Sequence, residues 1–103
     1  MNTKQLARIM KANLTEFRHA ENEMILWIDN NYGLYKSRTV ADAKAVKDGC
    51  PLLSAKFYKA LAISAVNSYR KEVSELNLPD TLHASLVHKV SYTLAERAIK
   101  GIL

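Results

Sequence analysis

Apolar residues recur at spacings of three and four along most of the chain, which is the period of an α-helix and not of a β-strand. The clearest run covers residues 4–31, where one stripe is formed by Leu6, Ile9, Met10, Phe17, Ala20, Met24, Trp27 and Ile28. The phase of this stripe continues across Asn13, so we predict one long helix capped by Asn2 or Thr3. The alternative is a break near Asn13, which forms an Asn-x-x-Glu capping pattern with Glu16.

The segment Asn30-Asn31-Tyr32-Gly33 predicts the end of the first helix, because Asn and Gly tolerate the left-handed conformation that follows many helices. We expect a loop from there to about Arg38. A short second helix then starts at a Ser37 or Thr39 cap and ends at Asp48-Gly49. The pattern therefore places a loop and a short helix after the first long helix.

Two further helices complete the predicted fold. The third covers about residues 52–76 and starts at Pro51 or at a Ser54 cap. Its stripe consists of Ala55, Tyr58, Leu61, Ala62, Ala65, Val66, Tyr69, Val73 and Leu76. The fourth helix begins at an Asp80 or Thr81 cap. Its inward face is formed by Leu86, Val87, Val90, Leu94 and Ala98, and it frays near Gly101.

Four phased stripes predict an all-α fold, a small antiparallel bundle of three long helices and one short helix. The length of 103 residues fits a single domain over residues 1–103, and a hydrophobic fraction of 49% is typical of globular proteins. The longest apolar run, residues 24–28, is too short to cross a membrane. Cys50 is the only cysteine, which favours a cytoplasmic protein without a disulfide.

The formal net charge of +5 favours anionic partners. On the third predicted helix, the basic residues opposite the apolar stripe are Lys56, Lys59, Arg70 and Lys71. The first helix has a similar ridge with Arg8, Lys11 and Arg18. Such ridges can contact the phosphates of DNA or RNA. The alternative is an ordinary solvated face, in which the aliphatic stems of Lys and Arg cover apolar surface.

The predicted loop combines two aromatic and two cationic residues, Tyr32, Tyr35, Lys36 and Arg38. Tyrosine rings can stack on unpaired bases while the cations hold phosphates. The same tyrosines could instead anchor a protein partner, since Tyr and Arg are enriched at binding hot spots. In a third interpretation, Tyr32 and Leu34 close the end of the bundle over Trp27.

No catalytic or metal-binding motif is present, so we expect a non-catalytic protein without a cofactor. His83 and His88 are five residues apart, or about 140° around a helix, and therefore cannot chelate one ion. We interpret His83 as a hydrogen-bonded core histidine. Cys50 is interpreted as a buried structural thiol.

The fourth helix carries a second, partly apolar line formed by His88, Tyr92, Ala95 and Ile99. Either this helix is central and covered on two sides, or the line contacts another chain. In the second case Tyr92 and Ile99 contribute to a homodimer.

Two hypotheses about function follow from these patterns. In the first, the basic ridges and the tyrosine-containing loop bind DNA or RNA, which would make the chain a nucleic-acid-associated or regulatory protein. In the alternative, the same surfaces bind a protein, and the chain is an adaptor, an accessory subunit or an inhibitor. Short basic helical proteins that block host enzymes are often encoded by mobile elements.

Overall fold

Helices account for nearly all of the structure in the computed structural model, which describes residues 2–73 and 78–101. The α-helices are α1 (Thr3–Ala12), α2 (Leu14–Asn30), α3 (Tyr32–Asp48), α4 (Pro51–Ser54), α5 (Lys59–Glu72) and α6 (His83–Lys100). A 3-10 helix over Ala55–Tyr58 joins α4 to α5, and a second one over Asp80–Leu82 precedes α6. No strand occurs in the described residues, so the predicted all-α class is confirmed.

The first predicted helix is interrupted at Asn13, so the prediction of one unbroken helix is wrong. Asn13 leaves the helical conformation, with φ −115° and ψ 21°, and its Nδ2 donates to the carbonyl oxygen of Ile9 at 2.8 Å. A side chain that bonds a nearby backbone carbonyl competes with continuation of the helix. Asn13 makes no side-chain cap for α2, whereas Asn2 caps α1 as predicted by accepting from the amide of Gln5 at 2.8 Å.

The segment predicted as a loop, up to Arg38, is helical and forms the first half of α3. Asn31 both ends α2 and caps α3, because its side-chain oxygen accepts a hydrogen bond from the amide of Leu34 at 3.3 Å. The second helix is therefore long and not short, and Gly33 lies in its first turn. Its predicted end is confirmed, since Gly49 has a left-handed φ of 79°.

The third predicted helix is present, but it winds more tightly over Ala55–Tyr58. Pro51 occupies the first turn, as predicted. Ser54 is not a cap, because its hydroxyl instead donates to the Oδ2 of Asp48 at 2.7 Å. This contact ties the start of the segment to the end of α3.

The start of α6 differs from the prediction, because neither Asp80 nor Thr81 caps it. A 3-10 turn leads directly into the helix at Leu82, which provides no side-chain cap. The predicted end is confirmed at Gly101, which has a φ of 72°.

The core forms where α2, α3, α4 and α5 pack around the central helix α6. The predicted stripe of the third helix is buried at Ala55, Tyr58, Leu61, Ala62, Ala65 and Val66. Val73 is 54% exposed, against the prediction, and Leu76 lies outside the described residues. On α6, the fully buried members of the predicted face are Leu86, Val90 and Leu94.

Candidate binding surface

Arg38 is buried, with only 6% of its surface exposed, so the prediction that it faces a partner is wrong. Its guanidinium group pairs with Asp29, and its Nε lies 3.8 Å from the Oδ2 of Asp42. The hydroxyl of Tyr58 donates to the Oδ1 of Asp42 at 2.6 Å. Burial, and then this hydrogen bond, raise the pKa of Tyr58 well above its usual value, so the hydroxyl remains a donor. Arg38 therefore links α2 and α3 within the fold, and Asp42 extends this link to the 3-10 helix Ala55–Tyr58.

Tyr32 and Tyr35 lie on the exposed side of the first turns of α3, with exposed fractions of 77% and 47%. The Nζ of Lys36 is 5.7 Å from the centre of the Tyr32 ring. Leu34 packs against the core, whereas Tyr32 does not close the end of the bundle. These three exposed side chains form a small patch that contains both aromatic rings and a cation.

The four basic residues predicted on the third helix are all exposed, namely Lys56, Lys59, Arg70 and Lys71. The Nζ of Lys56 lies 5.3 Å from the centre of the Phe57 ring, and the Nζ of Lys44 lies 5.9 Å from the same ring. The Nη1 of Arg70 lies 3.3 Å from the Nδ1 of His83 on α6. Arg70 therefore lies beside α6, whereas Lys44 and Lys56 lie beside Phe57.

A groove with a volume of about 590 Å³ lies on the surface where α4 and α5 pack beside α6, and we call it the α5–α6 groove. Its apolar lining consists of Leu52, Ala55, Ile63, Ala84 and Val87. Its polar lining consists of Lys56, Lys59, His83, His88 and Ser91. Leu52 and Ile63 remain 66% and 41% exposed. Open apolar surface in a concave site is typical of binding surfaces.

A second groove, with a volume of about 850 Å³, lies beside the first one around α6, against α1 and α2. Its lining includes Met10, Leu14, Phe17, Arg18, Glu21 and Lys89. The two grooves share Ala84 and His88, which are both exposed. A ridge on the first half of α6 therefore has an open groove on each side.

The cations that border the α5–α6 groove have no carboxylate partner within residues 2–73 and 78–101. In these ranges, Arg38 and Lys100 are the Lys and Arg side chains that lie within 4.0 Å of a carboxylate. The sequence explains this distribution, since residues 51–71 and 83–95, which contain both walls, include no aspartate or glutamate. The groove therefore combines apolar surface with two lysines that have no carboxylate partner in the described part of the chain.

Of the residues that form this groove, the sequence predicted only Lys56 and Lys59 as binding residues. Leu52 and Ile63 are apolar residues outside the predicted stripe of the third helix. Their position off the stripe was the one sequence signal for exposed apolar surface here. Arg70 reaches the groove only through His83, and Lys71 does not line it.

His83 lies in the wall of the groove, with 17% of its side chain exposed and its Nδ1 3.9 Å from the Oδ1 of Asp80. Its Nε2 is buried and has no hydrogen-bond partner among the described residues. The predicted core histidine is therefore bonded through one ring nitrogen only. Cys50 is half-buried and not fully buried as predicted. In the described part of the chain, no group of three or more His, Cys, Asp or Glu side chains could hold a metal ion.

The second apolar line predicted on α6 is divided between the core and the surface. Ala95 is fully buried, and Ile99 is half-buried against the core. Tyr92 is also half-buried, with the Nζ of Lys89 lying 5.8 Å from its ring centre, whereas His88 is exposed. At Ala95, α6 is thus a central helix covered on two sides, whereas Tyr92 and Ile99 keep part of their surface exposed.

Within the described residues, no helix is both long and apolar enough to cross a membrane. Comparisons of the chain with protein-family models, with curated proteins and with solved structures find no match. The geometry of the surface is therefore the basis on which a function can be assigned.

Proposed function

We propose that this chain is a non-catalytic protein that binds another protein through the α5–α6 groove. The observation that supports this most directly is the open apolar surface bordered by Lys56 and Lys59. A partner can bury Leu52 and Ile63, while its carboxylates pair with Lys56 and Lys59. An apolar centre with a polar rim is the usual anatomy of a protein interface.

A nucleic acid, DNA or RNA, is the second candidate partner. The exposed Tyr32 ring with Lys36 beside it favours this candidate, because bases stack on aromatic rings and phosphates bind cations. We rank it second because Arg38 is held inside the fold, and because a phosphate backbone gains little from an apolar groove.

Binding without catalysis suits a regulatory protein, which includes adaptors, accessory subunits and inhibitors such as those that mobile elements encode. The single cysteine, Cys50, fits the reducing environment of the cytoplasm, where we place the protein. Self-association through Tyr92 and Ile99 stays a prediction, which sedimentation of the wild-type protein at high concentration tests.

Affinity capture from the cells that make the protein tests the proposal when matched variants are compared. Ile63→Asp places a charge in the groove, whereas Val40→Asp changes an exposed apolar residue of α3 that lines neither groove. After nuclease treatment of the lysate, we expect wild type and Val40→Asp to retain the same protein and Ile63→Asp to lose it. Equal capture by all three proteins would contradict the proposal.

Titration with labelled single-stranded oligonucleotides at low and high salt tests the second candidate. If nucleic acid is the partner, Tyr32→Ala weakens binding and Ile63→Asp leaves it unchanged. That result, together with loss of all captured protein after nuclease treatment, would replace the first candidate with the second.

A further inference from the structure

We propose that the occupant of the α5–α6 groove is an amphipathic α-helix of the partner, with carboxylates beside its apolar stripe where Lys56 and Lys59 border the groove. This inference rests on the proposed function, because it names the partner of the same groove. It depends on three features, which are the shape of the groove, its apolar centre and the sign of the charge on its walls.

The shape favours a helix over an extended peptide. Both walls are helical, and the small side chains of Ala55, Ala84 and Ser91 allow a third helix to approach closely. The hydroxyl of Ser91 already donates to the carbonyl oxygen of Val87 at 2.8 Å, so it does not require a polar partner. Within residues 2–73 and 78–101 there is no sheet edge to which a peptide strand could add.

The apolar centre requires a partner with an apolar stripe. Leu52 and Ile63 are 66% and 41% exposed on one wall, and the half-buried Val87 faces the groove from α6. A volume of about 590 Å³ is large enough for several side chains. In a helix, such a row of anchors is supplied by positions i, i+3 or i+4, and i+7.

The positive charge beside the groove requires carboxylates next to the apolar stripe of that helix. Lys56 and Lys59 border the groove from one side, and His88 lies exposed on the other. Among the described residues, the carboxylate that approaches this region is Asp80, 3.9 Å from His83, and its side chain is 91% exposed. The two lysines therefore select Glu or Asp beside the apolar stripe, and disfavour a basic helix.

Two designed peptides of roughly 18 residues provide the probes, since shorter isolated helices are marginal in water. Both carry leucines on one helical stripe and alanines elsewhere. One has glutamates and the other has lysines along the edges of the stripe. Fluorescence anisotropy measures their affinity for the wild-type protein and for the double variant Lys56→Glu/Lys59→Glu. Both substituted residues are exposed, so the variant is expected to keep its fold.

We expect the wild-type protein to bind the glutamate peptide roughly tenfold more tightly than the lysine peptide, and the double variant to reverse this preference. The reversal does not depend on how well the designed stripe fits, because the stripe is the same in both peptides. An unchanged preference in the double variant would overturn the inference.

A third peptide, with the composition of the glutamate peptide but with its leucines dispersed around the helix, tests the apolar centre. It should bind more weakly than the glutamate peptide. Methyl NMR should show that the glutamate peptide shifts Ile63 and Val87 but not Val40 on α3. Equal affinity of the two acidic peptides, or shifts centred on Val40, would also overturn the inference.

The peptide and capture experiments can fail separately. A reversal of peptide preference without any captured protein would support the helix-binding groove and contradict the proposed function. Nuclease-resistant capture that depends on Ile63, without any peptide preference, would support protein binding and contradict an acidic helical partner.

Discussion

Replacing Arg38 by methionine should lower the free energy of unfolding by about 2 kcal/mol. The arginine side chain is 7% exposed and pairs with Asp29 and Asp42. Removing one partner of a fully buried pair costs about 3–5 kcal/mol. The two carboxylates are 39% and 28% exposed, so water can solvate them once the guanidinium group is gone, and the cost should fall below that range. Methionine replaces much of the aliphatic stem, so the loss reports mainly on the ion pairs.

Urea denaturation measures this loss, with Lys36→Met as the matched control on an exposed position of the same helix. The control should stay within about 0.5 kcal/mol of wild type. With a denaturant slope of about 1–3 kcal/mol/M, the midpoint for Arg38→Met should fall by roughly 1 M. A double-mutant cycle with Asp29→Asn should give a coupling energy of about 1 kcal/mol. Equal midpoints for the two methionine variants would refute the buried ion pair and return Arg38 to the exposed surface.

Three further predictions concern the core, the helix ends and the pH dependence. Leu61→Asp should cost more than about 3 kcal/mol, whereas Ile63→Asp on the exposed side should cost less than about 1 kcal/mol, and equal thermal melts would contradict this. Gly33→Ala should stabilise the protein by about 0.5–1 kcal/mol, because Gly33 lies in a helix with space for a methyl group. Gly49→Ala should cost about 1 kcal/mol because of its φ of 79°, and the opposite order in denaturation would contradict a helix at residues 32–38. Because folding raises the pKa of Tyr58, its stabilisation is complete below about pH 10 and is lost at higher pH. Unfolding free energy above pH 10 should thus fall more steeply for wild type than for Tyr58→Phe, by up to about 1.4 kcal/mol per pH unit, and parallel curves would contradict this.

The helical periodicity was sufficient to predict the fold class, but two boundaries depended on hydrogen bonds that periodicity does not reveal. At Asn13, the apolar phase continues although the side chain bonds the Ile9 carbonyl and interrupts the helix. At Asn31, the same residue ends one helix and caps the next, so a local signal for a stop was also a signal for a start. The roles of Asn2 and Gly49 were predicted correctly, because Asn2 only begins a helix and Gly49 only ends one.

The first half of the inward face of α3 was missed, and it contains a cation within its apolar stripe. Leu34, Arg38, Ala41 and Ala45 follow one another at spacings of four, three and four, which is a helical pattern. The segment was predicted as a loop followed by a short helix because Asn30-Asn31-Tyr32-Gly33 indicated a stop, and Arg38 was assigned to the exposed surface. Asp42, four residues after Arg38, was the sequence signal for an ion pair on the same face.

The presence of the α5–α6 groove depends on the distance between helices, which the apolar stripe of a single helix does not specify. The charge beside the groove, in contrast, follows from where the carboxylates lie in the sequence. The carboxylates that accept side-chain hydrogen bonds in the described residues are Glu21, Glu23, Asp29, Asp42 and Asp48, all on α2 and α3. Along α4 and α5, Glu72 is the only acidic residue, and it lies at the end of α5. Lys56 and Lys59 are among the cations without a carboxylate partner in the described residues, and these two lie beside the open apolar surface. The net charge alone favoured anionic partners of any kind, but two lysines beside an apolar groove support our proposal of an acidic protein, because such a partner can use both the charge and the apolar surface.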